Sequence, residues 1–230
     1  MALSKVIGKG VGNLDELGVG TASPSYKVHS VTTSGSDYAG FFHNSSGSGN
    51  GTALVVKGGA NNTGAGTFIV QDYGGNTDLM VDGNGHVTMP NQSAFMARSG
   101  SNSSAYSING WHTIAFVTER FDNNADFSSP NFTAPVTGRY QLNVNIRISD
   151  LDNDADYYQL KLVTSNFNYY FGLIDPGRWS GTLSYYSDAV SVLADMDASD
   201  TAYVQLYQGA GAQQAFTNDN DCHFSGYLVA

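Results

Sequence analysis

Gln141-Leu142-Asn143-Val144-Asn145-Ile146-Arg147-Ile148 is the stretch that decides the fold of this chain. Polar and apolar side chains alternate along it. Because successive side chains of a β-strand point to opposite faces, the pattern predicts a long strand with one buried face. Aromatic and β-branched residues indicate further strands at 113–118, 157–164, 167–174, 184–193, 201–207 and 222–229. Strands spaced this closely over about 140 residues favour a β-sandwich or jelly roll.

The composition excludes several classes of protein. The 230 residues carry 10 basic and 20 acidic side chains, a net charge of −10, and only 13% of residues are charged. Glutamate occurs only at Glu16 and Glu119, which argues against a helical bundle. Nucleic acid is not an expected partner, because its phosphate backbone requires a basic surface. With 41% hydrophobic and 12% aromatic residues, the chain has enough apolar side chains to form a core.

The sequence also bears on the compartment of the protein. Its first residues contain no apolar segment of the kind found in a signal peptide, and no run approaches the roughly 20 apolar residues of a membrane span. Cys222 is the single cysteine, so no disulfide can form within the chain. We therefore expect synthesis in the cytoplasm without signal-peptide export, and no membrane insertion.

Glycine content divides the sequence near Pro90. Residues 1–90 hold 18 of the 27 glycines and only short apolar runs, at 26–31, 38–42, 53–57, 67–70, 78–81 and 86–89. Strands this short cannot bury a core within one chain. We interpret 1–90 as an attachment segment and a glycine-rich, intertwined trimeric β-stalk completed by other copies; a flexible linker is the alternative. Residues 91–230 are predicted to form a jelly-roll head, which makes the protein all-β.

Motifs spread over residues 93–230 resemble one known family. They are Ala94-Phe95-Met96-Ala97, Phe132-Thr133-Ala134-Pro135-Val136-Thr137-Gly138-Arg139-Tyr140, Asp200-Thr201-Ala202-Tyr203-Val204-Gln205-Leu206 and Phe224-Ser225-Gly226-Tyr227-Leu228. These segments are similar to strands of the globular head of complement component one, subcomponent q, a branch of the tumour-necrosis-factor-like trimeric jelly rolls. Ser199 and Leu142 depart from the Gly and Phe usual there. The resemblance implies a homotrimer that associates through aromatic-rich faces, for which the head offers Tyr157, Tyr158, Tyr169, Tyr170, Tyr185, Tyr186, Tyr203 and Tyr207.

Two glycines of these motifs have expected backbone roles. Gly138 precedes the long strand, and glycine permits the positive φ often needed in a turn. Gly226 lies inside the last strand, where the missing side chain allows another part of the protein to approach closely.

Two segments before residue 90 resemble modules of phage tail fibres. They are Leu17-Gly18-Val19-Gly20-Thr21-Ala22-Ser23-Pro24-Ser25-Tyr26-Lys27-Val28-His29 and Leu79-Met80-Val81-Asp82-Gly83-Asn84-Gly85-His86-Val87. The four residues 82–85 are also a strong hairpin signal. A fibre-like stalk before a trimeric jelly-roll head implies a virion adhesion protein, made in the host cytoplasm and displayed on the virion surface. Its N-terminal segment is then expected to contact other virion proteins.

Alternating carboxylates occur at Asp150, Asp152, Asp154 and Asp156. Carboxylate oxygens within one loop can converge on calcium. The segment is not an EF-hand, because Ala155 replaces the required Gly and Lys161 stands where the closing Glu belongs. Two interpretations therefore stay open, a calcium site and a solvated acidic loop.

Strand parity predicts that loops 149–156, 175–182 and 209–221 share the end of the head opposite to the stalk. Arg178 and Trp179 form a recognition pair there, since an indole stacks on sugars and a guanidinium binds carboxylate or phosphate. The alternative is that Trp179 packs into the interface between protomers. Polar side chains suited to hydroxyl groups follow in the third loop, at Gln213, Gln214 and Asn218.

Motifs of catalysis are missing from the sequence. No His-Glu-x-x-His or Gly-x-Ser-x-Gly pattern occurs, and Gly8-Lys9-Gly10 lacks the hydroxyl residue of a phosphate loop. We expect a non-enzymatic phage fibre or adhesion protein whose head binds a host-surface receptor, with a glycan favoured over a protein. One alternative is a virion decoration or connector without receptor binding. The other is a polysaccharide-degrading tail spike, because carboxylate pairs of glycosidases have no sequence signature.

Overall fold

The computed structural model describes residues 17–19, 21, 23, 25–26, 28–33, 35–45, 52–58, 61–100, 108–212 and 222–230. The chain consists of two compact units, Met1–Lys57 and Gly58–Ala230. Across the described residues, every regular element is a strand except one short 3-10 helix, Pro176–Arg178. The all-β prediction is confirmed. The boundary between stalk and head at residue 90 lies within the second unit and stays a prediction.

The described part of the first unit holds two short strands, β1 (Leu17–Val19) and β2 (Val28–Ser30). They pair in parallel, with Leu17 opposite Val28. The apolar runs 38–42 and 53–57 form no strand, and their large side chains are exposed. Both runs were predicted to form strands completed by other copies of the chain, and that stays a prediction.

The second unit begins with a three-stranded antiparallel sheet in the order β3 (Gly66–Gln71), β4 (Thr77–Asp82) and β5 (Val87–Thr88). A tight turn joins β4 to β5. The Asp82 carboxylate accepts hydrogen bonds from the backbone amides of Asn84 (2.8 Å) and His86 (2.9 Å). The His86 side chain, 2.8 Å away, lowers the pKa of Asp82. Gly85 has a φ of +88°, so the predicted hairpin is confirmed.

This three-stranded sheet carries apolar side chains on both faces. Phe68 and Val70 point to one face and Ile69 to the other, because side chains alternate along a strand. Each of the three is between 41% and 47% exposed. Such a sheet is marginal when isolated, since both of its faces leave apolar side chains partly exposed.

The head is formed by β6 (Ala94–Arg98), β7 (Gly110–Thr113), β8 (Thr118–Asp122), β9 (Phe127–Ser128), β10 (Asn131–Thr133), β11 (Gly138–Leu151), β12 (Tyr157–Thr164), β13 (Asn168–Ile174), β14 (Leu183–Met196), β15 (Thr201–Gly209) and β16 (His223–Leu228). One sheet has the order β13-β12-β15-β10-β9, with β7 also pairing with β15. The other sheet has the order β14-β11-β16-β6-β8. The chain crosses repeatedly between two antiparallel sheets, which is the connectivity of a jelly roll. The predicted fold of the head is confirmed.

The core lies between the two sheets. Along β11, Leu142, Val144, Ile146 and Ile148 are buried and the residues between them are more exposed, as their alternation predicts. Phenylalanines fill the middle of the core, with the Phe95 ring 4.6 Å from Phe132 and 5.0 Å from both Phe127 and Phe224.

Two predictions about individual segments are wrong. Residues 113–118 are not one strand, because β7 ends at Thr113 in one sheet and β8 begins at Thr118 in the other. The chain crosses the core between them, where Ile114 and Phe116 are fully buried, and this produces the apolar alternation. Tyr158 is 1% exposed inside the core, so it cannot belong to an aromatic interface face.

Both motif glycines are required for close packing. A Cβ on Gly226 would lie 2.6 Å from a Leu142 methyl carbon and 2.9 Å from the Phe95 ring, as expected for close approach. Gly138 has no positive φ, so that prediction is wrong. A Cβ there would lie 2.6 Å from the Ala230 carbonyl oxygen, so packing is again the reason for glycine.

The head has two distinct ends, separated by the length of β11. Fourteen residues of strand extend roughly 45 Å. At the entry end, the Leu228 amide donates to the Ser93 carbonyl (3.0 Å) and the Arg139 amide to the Ala230 carbonyl (2.7 Å). The chain therefore enters and leaves the head at the same end. The distal end comprises the described residues of loops 152–156, 175–182 and 210–212.

Candidate functional site

Hydrogen bonds connect the loops of the distal end. The Thr182 hydroxyl donates to the Asn153 side-chain oxygen (3.2 Å), which joins the first two loops. The backbone amide of Ala212 donates to the Asp152 carboxylate, which joins the first loop to the third. The three segments that were predicted to share one end therefore meet there, as far as they are described.

Asp152 organises this end of the head and is only 7% exposed. Its carboxylate also accepts the Asp154 amide (3.0 Å), and its own amide donates to the Tyr158 hydroxyl (3.2 Å). Burial raises the pKa of Tyr158 to about 12. Asp152 is thus occupied by backbone donors and acts as a link between loops.

The other three carboxylates of the proposed calcium site, at Asp150, Asp154 and Asp156, are exposed. Among the described residues, no group of three or more His, Cys, Asp or Glu side chains is arranged to hold a metal ion. The four aspartates therefore do not fit calcium in this arrangement, and calcium binding stays an untested hypothesis.

Arg178 and Trp179 lie on a compact turn after β13. The Asp175 carboxylate accepts the Gly177 amide (3.1 Å) and lies 3.5 Å from the Arg178 Nε. Arg178 projects into solvent. Trp179 is half-buried against the core, with its ring 5.6 Å from that of Tyr186. The guanidinium is available for recognition, whereas the indole is available only in part. The remaining predicted receptor residues, Gln213, Gln214 and Asn218, lie outside the described residues.

A second candidate surface lies on the outer face of β7, β15, β12 and β13, and sequence reasoning missed it. We define the aromatic cluster as Trp111, Tyr157, Tyr170 and Tyr207. The Trp111 ring lies 5.4 Å from Tyr207 and 5.8 Å from Tyr170, and Tyr157 stacks on Tyr207 at 5.1 Å. One ring comes from each of four strands, so no local pattern joins them. One sequence signal could have indicated this surface. Tyr157, Gln159 and Lys161 occupy alternate, outward-facing positions of β12.

Lys161 lies within the aromatic cluster. Its Nζ atom is 4.0 Å from the Trp111 ring centroid and 5.5 Å from that of Tyr170. The residue is 7% exposed, and burial lowers the pKa of its ammonium group. No carboxylate of the described residues forms a salt bridge with it. The site thus combines exposed ring edges with a desolvated positive charge.

The outer face of the opposite sheet mixes polar side chains with exposed apolar ones, among them Tyr185, Leu193 and Tyr227. The Gln141 amide donates to the Ser191 hydroxyl (2.6 Å), which donates in turn to the Asn143 side-chain oxygen (2.9 Å). A shallow depression of about 330 Å³ beside them is bordered by His223, whose pKa is lowered by burial. This face offers amide and hydroxyl groups together with a cation–π contact, in which the Arg147 guanidinium lies 4.9 Å from the Tyr185 ring centroid.

Several solved structures resemble 60% of this chain. The globular domain of zebrafish complement 1qA is 15% identical, with a TM-score of 0.43 over 60% of this chain and 98% of that one. Murine APRIL is 8% identical, with a TM-score of 0.43 over 60% and 99% of the two chains. Eiger TNF from S. frugiperda is 13% identical, with a TM-score of 0.41 over 60% and 94%. These structures belong to the group that the motifs in 93–230 resemble. The assignment of the head to the jelly-roll fold rests on its strand order.

No protein-family model and no curated protein sequence matches the chain significantly. Within the described residues, no helix is long and apolar enough to cross a membrane.

Proposed function

We propose that this chain is a homotrimeric phage fibre or adhesion protein, without enzymatic activity, whose head binds a host-surface receptor. The observation that carries the proposal is that the two ends of the second unit differ. In sequence, the three-stranded sheet with two partly exposed apolar faces comes before the entry end of the head, and the loops joined by Thr182 and Asn153 lie at the opposite end. An adhesion protein needs this order, because its sensor must project away from its anchor.

Assembly is proposed to occur through the uncovered sheet. Phe68, Ile69 and Val70 present apolar surface that further copies of the chain would remove from water. Burial of such surface contributes roughly 25 cal/mol per Å². Three copies arranged around a threefold axis give a closed assembly in which the three heads share one direction. The resemblance of residues 17–29 and 79–87 to tail-fibre modules supports a virion location, with attachment to other virion proteins through the N-terminal segment.

Receptor binding is proposed to occur at the distal end, with a glycan as the favoured ligand. Arg178 presents an exposed guanidinium, and such a group binds carboxylate or phosphate through paired hydrogen bonds. Weak binding by each head suffices, since three heads on one particle-bound shaft act at high effective concentration.

The proposal is tested with the purified full-length chain. Light scattering should give three times the 24.4 kDa mass of one chain. Fluorescently labelled protein should adsorb to cells of at least one strain in a bacterial panel. Arg178→Ala should reduce adsorption, and Arg120→Ala, which removes an exposed arginine outside the distal end, should not.

Other outcomes identify the alternatives. A trimer that adsorbs to no strain indicates a decoration or connector protein. Release of reducing sugar from envelope polysaccharide indicates a tail spike. A monomer contradicts the proposal for both the stalk and the head.

A further inference from the structure

The aromatic cluster and Lys161 together have the chemistry of a ligand site. Tyr170 is 56% exposed, so its ring is open to a ligand. Sugar rings stack their C–H faces on aromatic rings, and Tyr and Trp are enriched among the residues that dominate binding interfaces. The rings alone, however, do not select one class of ligand.

The positive charge of Lys161 selects for a ligand that carries a negative charge. A buried ammonium group is costly unless an anion or hydrogen-bond acceptors compensate it. The faces of Trp111 and Tyr170 provide partial compensation through cation–π contacts. No carboxylate of the described residues pairs with Lys161 to complete this compensation, although acidic side chains outnumber basic ones two to one in the chain. A carboxylate on a ligand would complete it.

Hydrogen-bonding side chains flank the cluster. Gln205 pairs across the sheet with Lys161 and donates its side-chain amide to the Thr113 hydroxyl (3.2 Å). Gln159 lies opposite Tyr207 in the same sheet. Amide and hydroxyl groups beside aromatic rings suit the hydroxyl groups of a saccharide. A second copy of this chain fits less well, because lysine is depleted at the centres of protein interfaces.

We propose that the outer face of β7, β15, β12 and β13 binds an acidic saccharide, whose ring stacks on Tyr170 and the neighbouring rings and whose carboxylate pairs with Lys161. This inference deepens the proposed function and rests on receptor recognition by the head. It names the class of glycan and places a recognition surface beside the distal loops, since Tyr157 directly follows loop 152–156.

The experiment compares two probes that differ only in charge. Oligogalacturonate carries one carboxylate per ring, and its methyl ester of equal length carries none. Calorimetry with the purified full-length chain should show binding of the acid at least about tenfold tighter than binding of the ester, or about 1.4 kcal/mol. Equal affinity for the two probes, or no binding of the acid, overturns the proposal.

Lys161→Met is the decisive variant. Methionine keeps a long apolar stem between the rings and removes the charge, so folding should be unimpaired and the melting temperature equal or higher. The preference for the acid should disappear. Arg120→Met makes the same charge change at an exposed site and should retain the preference. A Lys161→Met protein that still prefers the acid overturns the proposal.

Stacking is tested separately from charge. Tyr170→Ala should weaken binding of both probes, whereas Tyr73→Ala, at a fully exposed turn between β3 and β4, should change neither. If Tyr170→Ala or Lys161→Met alters the oligomeric mass, another copy of the chain covers this face and the proposal is wrong.

Arg178-dependent adsorption to cells without any acid preference would refute this inference alone. Absence of trimers and of adsorption would refute the proposed function, while the two probes still report on this site.

Discussion

The backbone amide of Ala212 donates a hydrogen bond to the carboxylate of Asp152, joining two distal loops that are 60 residues apart in sequence. The same carboxylate accepts the Asp154 amide, so it holds its own loop and a neighbouring one at once. Asp152 belongs to a series of alternating aspartates that suggested a metal site. Its environment instead consists of backbone donors, and hydrogen bonds to a carboxylate are roughly twice as strong as those between neutral groups.

Asp152→Asn should destabilise the head equally with and without calcium. The amide replaces one acceptor oxygen with a donor that faces a backbone N–H, and the expected loss is about 1–3 kcal/mol of unfolding free energy. Thermal unfolding in calcium chloride and in EDTA measures it. Asp154→Asn, at an exposed position, is the matched control and should change little. A stabilisation by calcium that disappears in Asp152→Asn would restore the metal interpretation.

Stability should decline in alkaline solution partly through Tyr158. Burial raises the pKa of its hydroxyl to about 12, from an ordinary value of 10.0. The folded state therefore favours the neutral phenol, and this contribution is complete below pH 10 and is lost as the pH rises through 12. This rise in the pKa of Tyr158 corresponds to a contribution of roughly 3 kcal/mol to the free energy of unfolding.

Tyr158→Phe isolates this contribution. The variant also loses the acceptor of the Asp152 amide, but that loss is independent of pH. Denaturant unfolding at a series of pH values should show the difference in stability between the two proteins shrinking above pH 10. Parallel profiles up to pH 12 would contradict the assignment.

Phe68→Asp should prevent assembly without unfolding the head. A carboxylate cannot enter an apolar interface without a large desolvation cost, so the light-scattering mass should fall below that of a trimer. Tyr73→Asp introduces the same charge at an exposed turn and should assemble normally. Near-ultraviolet circular dichroism checks that the head retains its aromatic packing. Trimers of Phe68→Asp would exclude the three-stranded sheet as an interface.

Trp179 and Arg178 should differ in their effects on stability. Trp179→Ala removes a half-buried ring that packs on Tyr186 and the core, and we expect a loss of about 1–3 kcal/mol. Arg178→Ala removes an exposed side chain and should change stability by less than about 0.5 kcal/mol. Melting curves of the two variants provide the comparison. A stable Trp179→Ala protein would show that the indole is free for a ligand.

Much of the head was predictable from local pattern. The alternation along 141–148 predicted strand β11, which pairs with β14 on one side and β16 on the other, and residues 82–85 predicted their hairpin. The pattern misled at 113–118, where apolar side chains alternate in a crossover through the core. Alternation reports which side chains are buried, and it does not report which sheet the backbone joins.

The sequence by itself determined that the protein is all-β, that its apolar strands form a jelly-roll head and that three loops share one end, because side-chain period and strand parity are local properties of the chain. The tertiary structure decided the use of individual side chains. Asp152 links two loops, and Lys161 lies between Trp111 and Tyr170, because β12 pairs with β15 on one side and with β13 on the other. Such neighbours depend on the register between strands distant in sequence, and that register is set by the packing of the whole core.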